Sequence, residues 1–184
     1  KGIFEQKCFS PPFPSLSFFD NPELHLLTSI NYLKSKYRFS ISTPPPLPSI
    51  NGKIRVGYYS ADFHNHATSY LMAELFELHN KDKFELFAFS FGPQREDEMF
   101  YRLSKVFDKF IDVINLSDEE IALLSRELCI DIAIDLKGYT QDARPNIFAK
   151  RCAPIQVSYL GYPGTLRADY IDYILADRIV IPDE

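Results

Sequence analysis

Asp62-Phe63-His64-Asn65-His66-Ala67-Thr68 places two imidazoles and a carboxylate within five positions of one another. Histidine is the side chain whose ordinary titration falls nearest neutrality, so a neutral imidazole here can serve as a general base. His66 stands at the start of a helical pattern, whose positive end favours the neutral ring further. A turn residue or a hydrogen-bonded cleft wall explains the same histidine. A metal reading of Asp62, His64 and His66 is disfavoured, because no distant His or Cys cluster joins them. A second polar stretch, Lys137-Gly138-Tyr139-Thr140-Gln141-Asp142-Ala143-Arg144, offers a glycine for close approach and a hydroxyl for a polar ligand. Ordinary turn chemistry, with Asp142 as a helix cap, competes with that reading. The third stretch, Leu160-Gly161-Tyr162-Pro163-Gly164-Thr165, is a shaped turn able to present backbone N–H groups. Neither a GxGxxG fingerprint nor a GxxxxGK[ST] phosphate loop occurs.

Each stretch follows a strand pattern. Strands are expected at Ile54–Tyr59, Phe84–Phe91, Phe110–Val113, Asp131–Leu136, Ile155–Leu160 and Tyr173–Ala176. Helices are expected at Tyr70–His79, Glu96–Val106, Asp118–Leu128 and near Pro145–Lys150. Ser117 with Glu120 reads as a capping box. Strands separated by such helices imply an α/β fold, a Rossmann-like parallel sheet with helices on both faces. In that architecture the loops after the strands share one edge, where ligands bind.

Upstream, Asp20-Asn21-Pro22-Glu23 starts a helix carrying Leu24, Leu27, Ile30, Asn31 and Leu33 on one stripe, with a basic end at Lys34, Lys36 and Arg38. The flanking runs Ser10–Pro14 and Thr43–Pro48 read as extended. The expected organisation is a linker with a docking helix over 1–50 and an α/β lobe over 51–184. Asp131 and Asp135 read as edge or strand-start residues, Arg95–Glu98 as a solvated helix start, and Arg144 as a surface salt-bridge partner.

A net charge of −5 without clustered cations argues against a nucleic-acid surface. An apolar content of 46% excludes a disordered chain. Cys8, Cys129 and Cys152 are odd in number and scattered, which fits a reducing compartment and a cytoplasmic location. No apolar run approaches the ~18 residues of a membrane span.

The runs Ile54–Ser69, Asp135–Thr140 and Ala153–Thr165 resemble, in order and spacing, the catalytic region of O-linked N-acetylglucosamine transferases. His64-Asn65-His66-Ala67-Thr68 is similar to the bacterial tetratricopeptide-repeat branch; the animal enzyme has Gly-Asn-His-Pro-Thr. The resemblance covers about Lys53 to Asp177. It implies the first lobe of a GT-B glycosyltransferase that moves N-acetylglucosamine from UDP-GlcNAc to Ser or Thr hydroxyls with inversion and without a metal. It implies that His66 is the active-site histidine, proposed in the family as the base, with a donor phosphate oxygen as the other candidate. Thr140 and the turn Leu160, Gly161, Tyr162 and Pro163 would lie near the sugar or phosphates, with Asp62, His64 and Tyr139 as further cleft residues. His64 replaces a glycine and Tyr70 a second histidine found in many relatives, so acceptor or sugar preference can differ. Some relatives use GDP-fucose. In the family a second lobe holds most of the nucleotide and tetratricopeptide repeats lie upstream. This chain carries neither, so it is expected to be inactive alone. A non-catalytic interaction module and an unrelated small-molecule-binding α/β domain are the alternatives.

Overall fold

The computed structural model describes residues 11–36, 42–46, 52–93 and 95–182. Six strands form one parallel sheet: β1 (Ile54–Ser60), β2 (Phe84–Ser90), β3 (Lys109–Asp112), β4 (Ile132–Asp135), β5 (Ile155–Tyr159) and β6 (Tyr173–Leu175). Their spatial order is β3-β2-β1-β4-β5-β6. The chain therefore builds outward from β1 in one direction, then returns to place β4 on its other side. The expected strand segments all form, with no end shifted by more than one residue.

Among the described residues six helices accompany the sheet: α1 (Pro12–Ser15), α2 (Pro22–Lys36), α3 (Ala67–Leu78), α4 (Glu98–Leu103), α5 (Asp118–Glu127) and α6 (Asn146–Ala149). Strand side chains alternate between faces, and both faces are covered. Val56, Tyr58, Leu86, Ala88 and Ile134 pack with Met72, Phe76, Met99 and Leu103 from α3 and α4. Tyr59, Phe87, Phe89 and Ala133 pack on the opposite face with Ile121 and Ala122 of α5 and Phe148 of α6. Burial on both faces explains why β2 reads as a nearly continuous aromatic and aliphatic run.

The Ser117–Glu120 capping box forms reciprocally, satisfying two N–H groups at the start of α5. The extended reading of Ser10–Pro14 does not hold over its described residues. Pro12 opens a single helical turn, where a missing N–H costs nothing and the fixed φ of proline suits a helix. α2 lies against the lobe: Ser29 Oγ donates to Thr165 O at 2.7 Å, and Tyr32 packs on Tyr139 with ring centroids 5.4 Å apart. Thr43–Pro46 has no regular structure, whereas Arg38, Leu47 and Pro48 lie outside the described residues.

At the far edge, β6 is anchored by buried polar groups. Arg151 Nη1 and Nη2 grip both Asp172 oxygens at 3.0 and 2.9 Å, while Gln156 Nε2 donates to Phe148 O and Tyr170 O. Each donor on these buried side chains that meets a carbonyl or carboxylate lowers the cost of leaving water.

Candidate active site

The candidate site follows from the pairing of β1 with β4. Their register aligns Tyr59 with Asp135, and the ladder continues through Leu136 N to Tyr59 O at 3.1 Å. Residues just past the two strand ends must therefore emerge side by side, although more than seventy positions separate them in sequence. β1 and β4 flank the point where strand order reverses, the crevice that open α/β sheets use for ligands. β5 pairs next to β4, with Asp135 opposite Ser158, so the Leu160–Thr165 turn joins the same edge.

In the first loop, Asp62 and His64 are buried and His66 is half-exposed. Asp62 Oδ2 receives Lys137 Nζ at 2.7 Å and stands 3.6 Å from His66 Nδ1. His66 is the N-cap of α3, and its Nδ1 accepts the amide of Thr68 at 3.2 Å. The ring of His64 meets that of His66 edge-on, with centroids 5.8 Å apart, and His64 Nδ1 is buried without a hydrogen-bond partner. The loop is braced from outside: Asp97 caps α4 through Phe100 N and also accepts Asn65 N at 2.8 Å. Burial works against the Asp97 charge, but the Asn65 and Phe100 amides outweigh it and hold that carboxyl below its usual range. The stretch read as a solvated helix start is thus also a brace for the histidine loop.

In the second loop, Asp135 is buried and accepts the amides of Lys137 at 2.8 Å and Gly138 at 3.1 Å. Burial raises its carboxyl to about 6, opposed by those amides and by the Lys137 ammonium. Asp135 is therefore the anchor of the turn, not a bland strand-start residue. Gly138 adopts a φ of +54°, and a Cβ there would lie 2.4 Å from Tyr162 Cβ. Thr140 donates its hydroxyl proton to Lys137 O at 2.8 Å, which leaves its oxygen free to accept. Tyr139 is buried; its hydroxyl donates to Leu166 O, and burial raises it far above the usual phenol range. Asp142 caps no helix: it has a φ of +61°, and α6 begins at Asn146 with Pro145 at its N-cap position and no side-chain cap. Arg144 is half-buried, bonded to Asp118 at 2.6 Å and to Leu116 O at 2.6 Å, so it binds loops together instead of decorating the surface.

In the third loop, the glycines answer chain packing. A Cβ on Gly161 would lie 1.8 Å from Leu136 O, and one on Gly164 would meet the Tyr162 ring. Tyr162 is buried between them, its ring packed on those of Tyr139 and Phe13. Pro163 is exposed. Leu160 is 42% exposed with a φ of +60°, a conformation that leucine rarely adopts and that marks a strained turn at the sheet edge.

The structure thus brings Asp62, His66 and Lys137 into direct contact and sets the Thr140 and Leu160 turns beside them. It turns Tyr139 and Tyr162 inward as packing residues. From sequence, Asp135 read only as an edge or strand-start residue, and Lys137 and the Thr68 amide were given no role. The available signal was the charge of Asp135 and Lys137 beside a buried strand, since such groups must find partners. Among the described residues, no group of three or more His, Cys, Asp or Glu side chains gathers as a metal site. A groove of about 570 Å³ lies elsewhere, between the Pro163–Ile174 segment and Val180–Ile181, and does not include His66 or Lys137.

Sheet order and edge loops define a Rossmann-like α/β lobe. The chain belongs to Glycosyl transferase family 41, which matches residues 19–184. It is 37% identical over 182 residues to the probable UDP-N-acetylglucosamine–peptide N-acetylglucosaminyltransferase SEC of Arabidopsis thaliana, covering 93% of this chain and 19% of that protein. It is 36% identical over 135 residues to the UDP-N-acetylglucosamine–peptide N-acetylglucosaminyltransferase of Caenorhabditis elegans, covering 71% of this chain and 11% of that protein. A mutant O-GlcNAc transferase of Thermobaculum terrenum superposes with a TM-score of 0.81 at 27% identity, over 90% of this chain and 32% of that one. The chain spans less than a fifth of the curated relatives' length. Among the described residues no helix is long and apolar enough to cross a membrane.

Proposed function

We propose that this chain forms one wall of the active site of a protein O-glycosyltransferase that moves N-acetylglucosamine from UDP-GlcNAc to Ser or Thr hydroxyls. The observation that carries the reading is the convergence of the loops after β1, β4 and β5, where the sheet order reverses. Those loops hold the three motifs that resemble the family's catalytic region. His66 sits where it can face the acceptor hydroxyl, either taking its proton or orienting it. Thr140 and the Leu160–Pro163 turn bound the sugar side. The donor's nucleotide is held chiefly by a second lobe of GT-B type, with tetratricopeptide repeats upstream. The whole is a cytoplasmic enzyme that needs no metal, and the 184-residue chain by itself is inactive.

The test is sugar transfer by the full-length gene product onto Ser/Thr peptides, read by mass spectrometry, with UDP-GlcNAc and GDP-fucose in parallel. Addition of N-acetylhexosamine is expected. Fucose addition would reassign the donor, and no transfer with either, together with a missing second lobe, would favour the interaction module. Turnover of UDP-GlcNAc by residues 1–184 alone would overturn the half-site reading. His66→Ala should cut transfer sharply while the fold persists.

A further inference from the structure

We propose that His66 is locked as the Nε2–H tautomer by the Thr68 amide and the Asp62–Lys137 ion pair, so that it serves the cleft as a hydrogen-bond donor and not as a base. The catalytic part of this inference rests on the transferase reading; the tautomer does not. A backbone N–H can only donate, and the Thr68 amide lies in the first turn of α3, where no intrahelical acceptor exists. It donates to His66 Nδ1 at 3.2 Å. The Nδ1 lone pair is thereby engaged, and a neutral ring must carry its proton on Nε2. Nε2, on the opposite edge of a ring 42% exposed, meets no partner among the described residues.

A histidine acts as a base at Nε2 when a carboxylate accepts its Nδ1–H, as in hydrolytic triads. Asp62 is the carboxylate in position to do this, but its Oδ2 stands 3.6 Å from Nδ1 and is bonded to Lys137 Nζ at 2.7 Å. Lys137 is thus a positioning residue: it draws Asp62 away from the imidazole and offsets its charge. The Nε2–H then points to the acceptor oxygen or a sugar oxygen.

The test begins with the 184-residue chain labelled with ¹⁵N-histidine. Long-range ¹H–¹⁵N correlation above the histidine titration range should show His66 with a pyridine-type Nδ1 and a pyrrole-type Nε2. A pyrrole-type Nδ1, or an even mixture, would overturn the proposal whatever the chain's activity. Lys137→Met should shift the ring toward the Nδ1–H form, whereas Lys137→Arg keeps Nε2–H; if Lys137→Met does not fold, the wild-type spectrum still decides. In the full-length enzyme, His66→Gln keeps an N–H near the Nε2 position without a basic lone pair. It should retain at least ~10-fold more transfer than His66→Ala, whereas loss of a general base, worth ~10²–10⁴-fold, would fall equally on both variants. Equal losses would overturn the donor role, while absence of transfer by the wild-type enzyme would overturn the functional reading and leave the tautomer measurement standing.

Discussion

Lys137 Nζ lies 2.7 Å from Asp62 Oδ2, and with side chains 6% and 10% exposed the two charges meet almost out of water. Attraction between such groups offsets desolvation only while both are present. The pair ties the loop after β1 to the loop after β4, the two walls nearest His66.

Removing one partner should therefore cost more than removing both. Lys137→Met is expected to destabilise the lobe by about 3–5 kcal/mol, the usual cost of stranding a buried charge. Asp62→Asn combined with Lys137→Met should recover part of that loss. Urea unfolding of the wild type, the two single variants and the double variant measures the difference, and additive losses would show that the pair is not coupled.

Asp135 supplies a pH signature. Its folded value of about 6 exceeds the ~3.9 of an exposed aspartate, so the folded state binds the proton more tightly than the unfolded one. Its contribution is then fully present below about pH 4 and is lost as pH rises through about 6. The unfolding free energy of the wild type minus that of Asp135→Asn should fall between those limits. A flat difference would show that the carboxyl is not shifted.

Gly161→Ala should be poorly tolerated, since its Cβ would lie 1.8 Å from Leu136 O and 2.4 Å from Leu136 C. Backbone stands on that side, so the turn must move, at about 1–3 kcal/mol or more. Gly164→Ala meets the hydroxyl end of Tyr162 at 2.5 Å, a side chain that can shift, and should cost less. Melting temperatures of the two variants rank them.

Cys152 is buried, and burial pushes its thiol up to about 12, whereas Cys129 is exposed. Thiolate is the reactive form. Iodoacetamide at pH 8 should modify Cys129 in the native protein and spare Cys152 until denaturant is added. Peptide mass mapping reads both, and rapid native labelling of Cys152 would contradict its burial.

The sequence by itself determined the parts. Apolar periodicity placed the strands and the principal helices, because side-chain burial obeys the 2.0 and 3.6 repeats of local geometry. The Ser117–Glu120 cap was equally legible, since its bonds span only three residues. The chemistry of the Asp62–Thr68 loop was legible as residue types, and the three motifs as a family likeness. What only the tertiary structure decided was which groups meet. Lys137 reaches Asp62 because β4 pairs with β1, a long-range choice that no local pattern encodes. Asp135 anchors a turn through amides that become available only when that turn closes. Gly161 is required by a carbonyl twenty-five positions away, on the neighbouring strand's end. The surroundings of His66 follow from the same cause: its Nδ1 accepts an amide of its own helix, while the nearby Asp62 carboxylate is held by a lysine from the loop after β4. Local physics writes the elements; the pairing of β1 with β4 turns them into one edge.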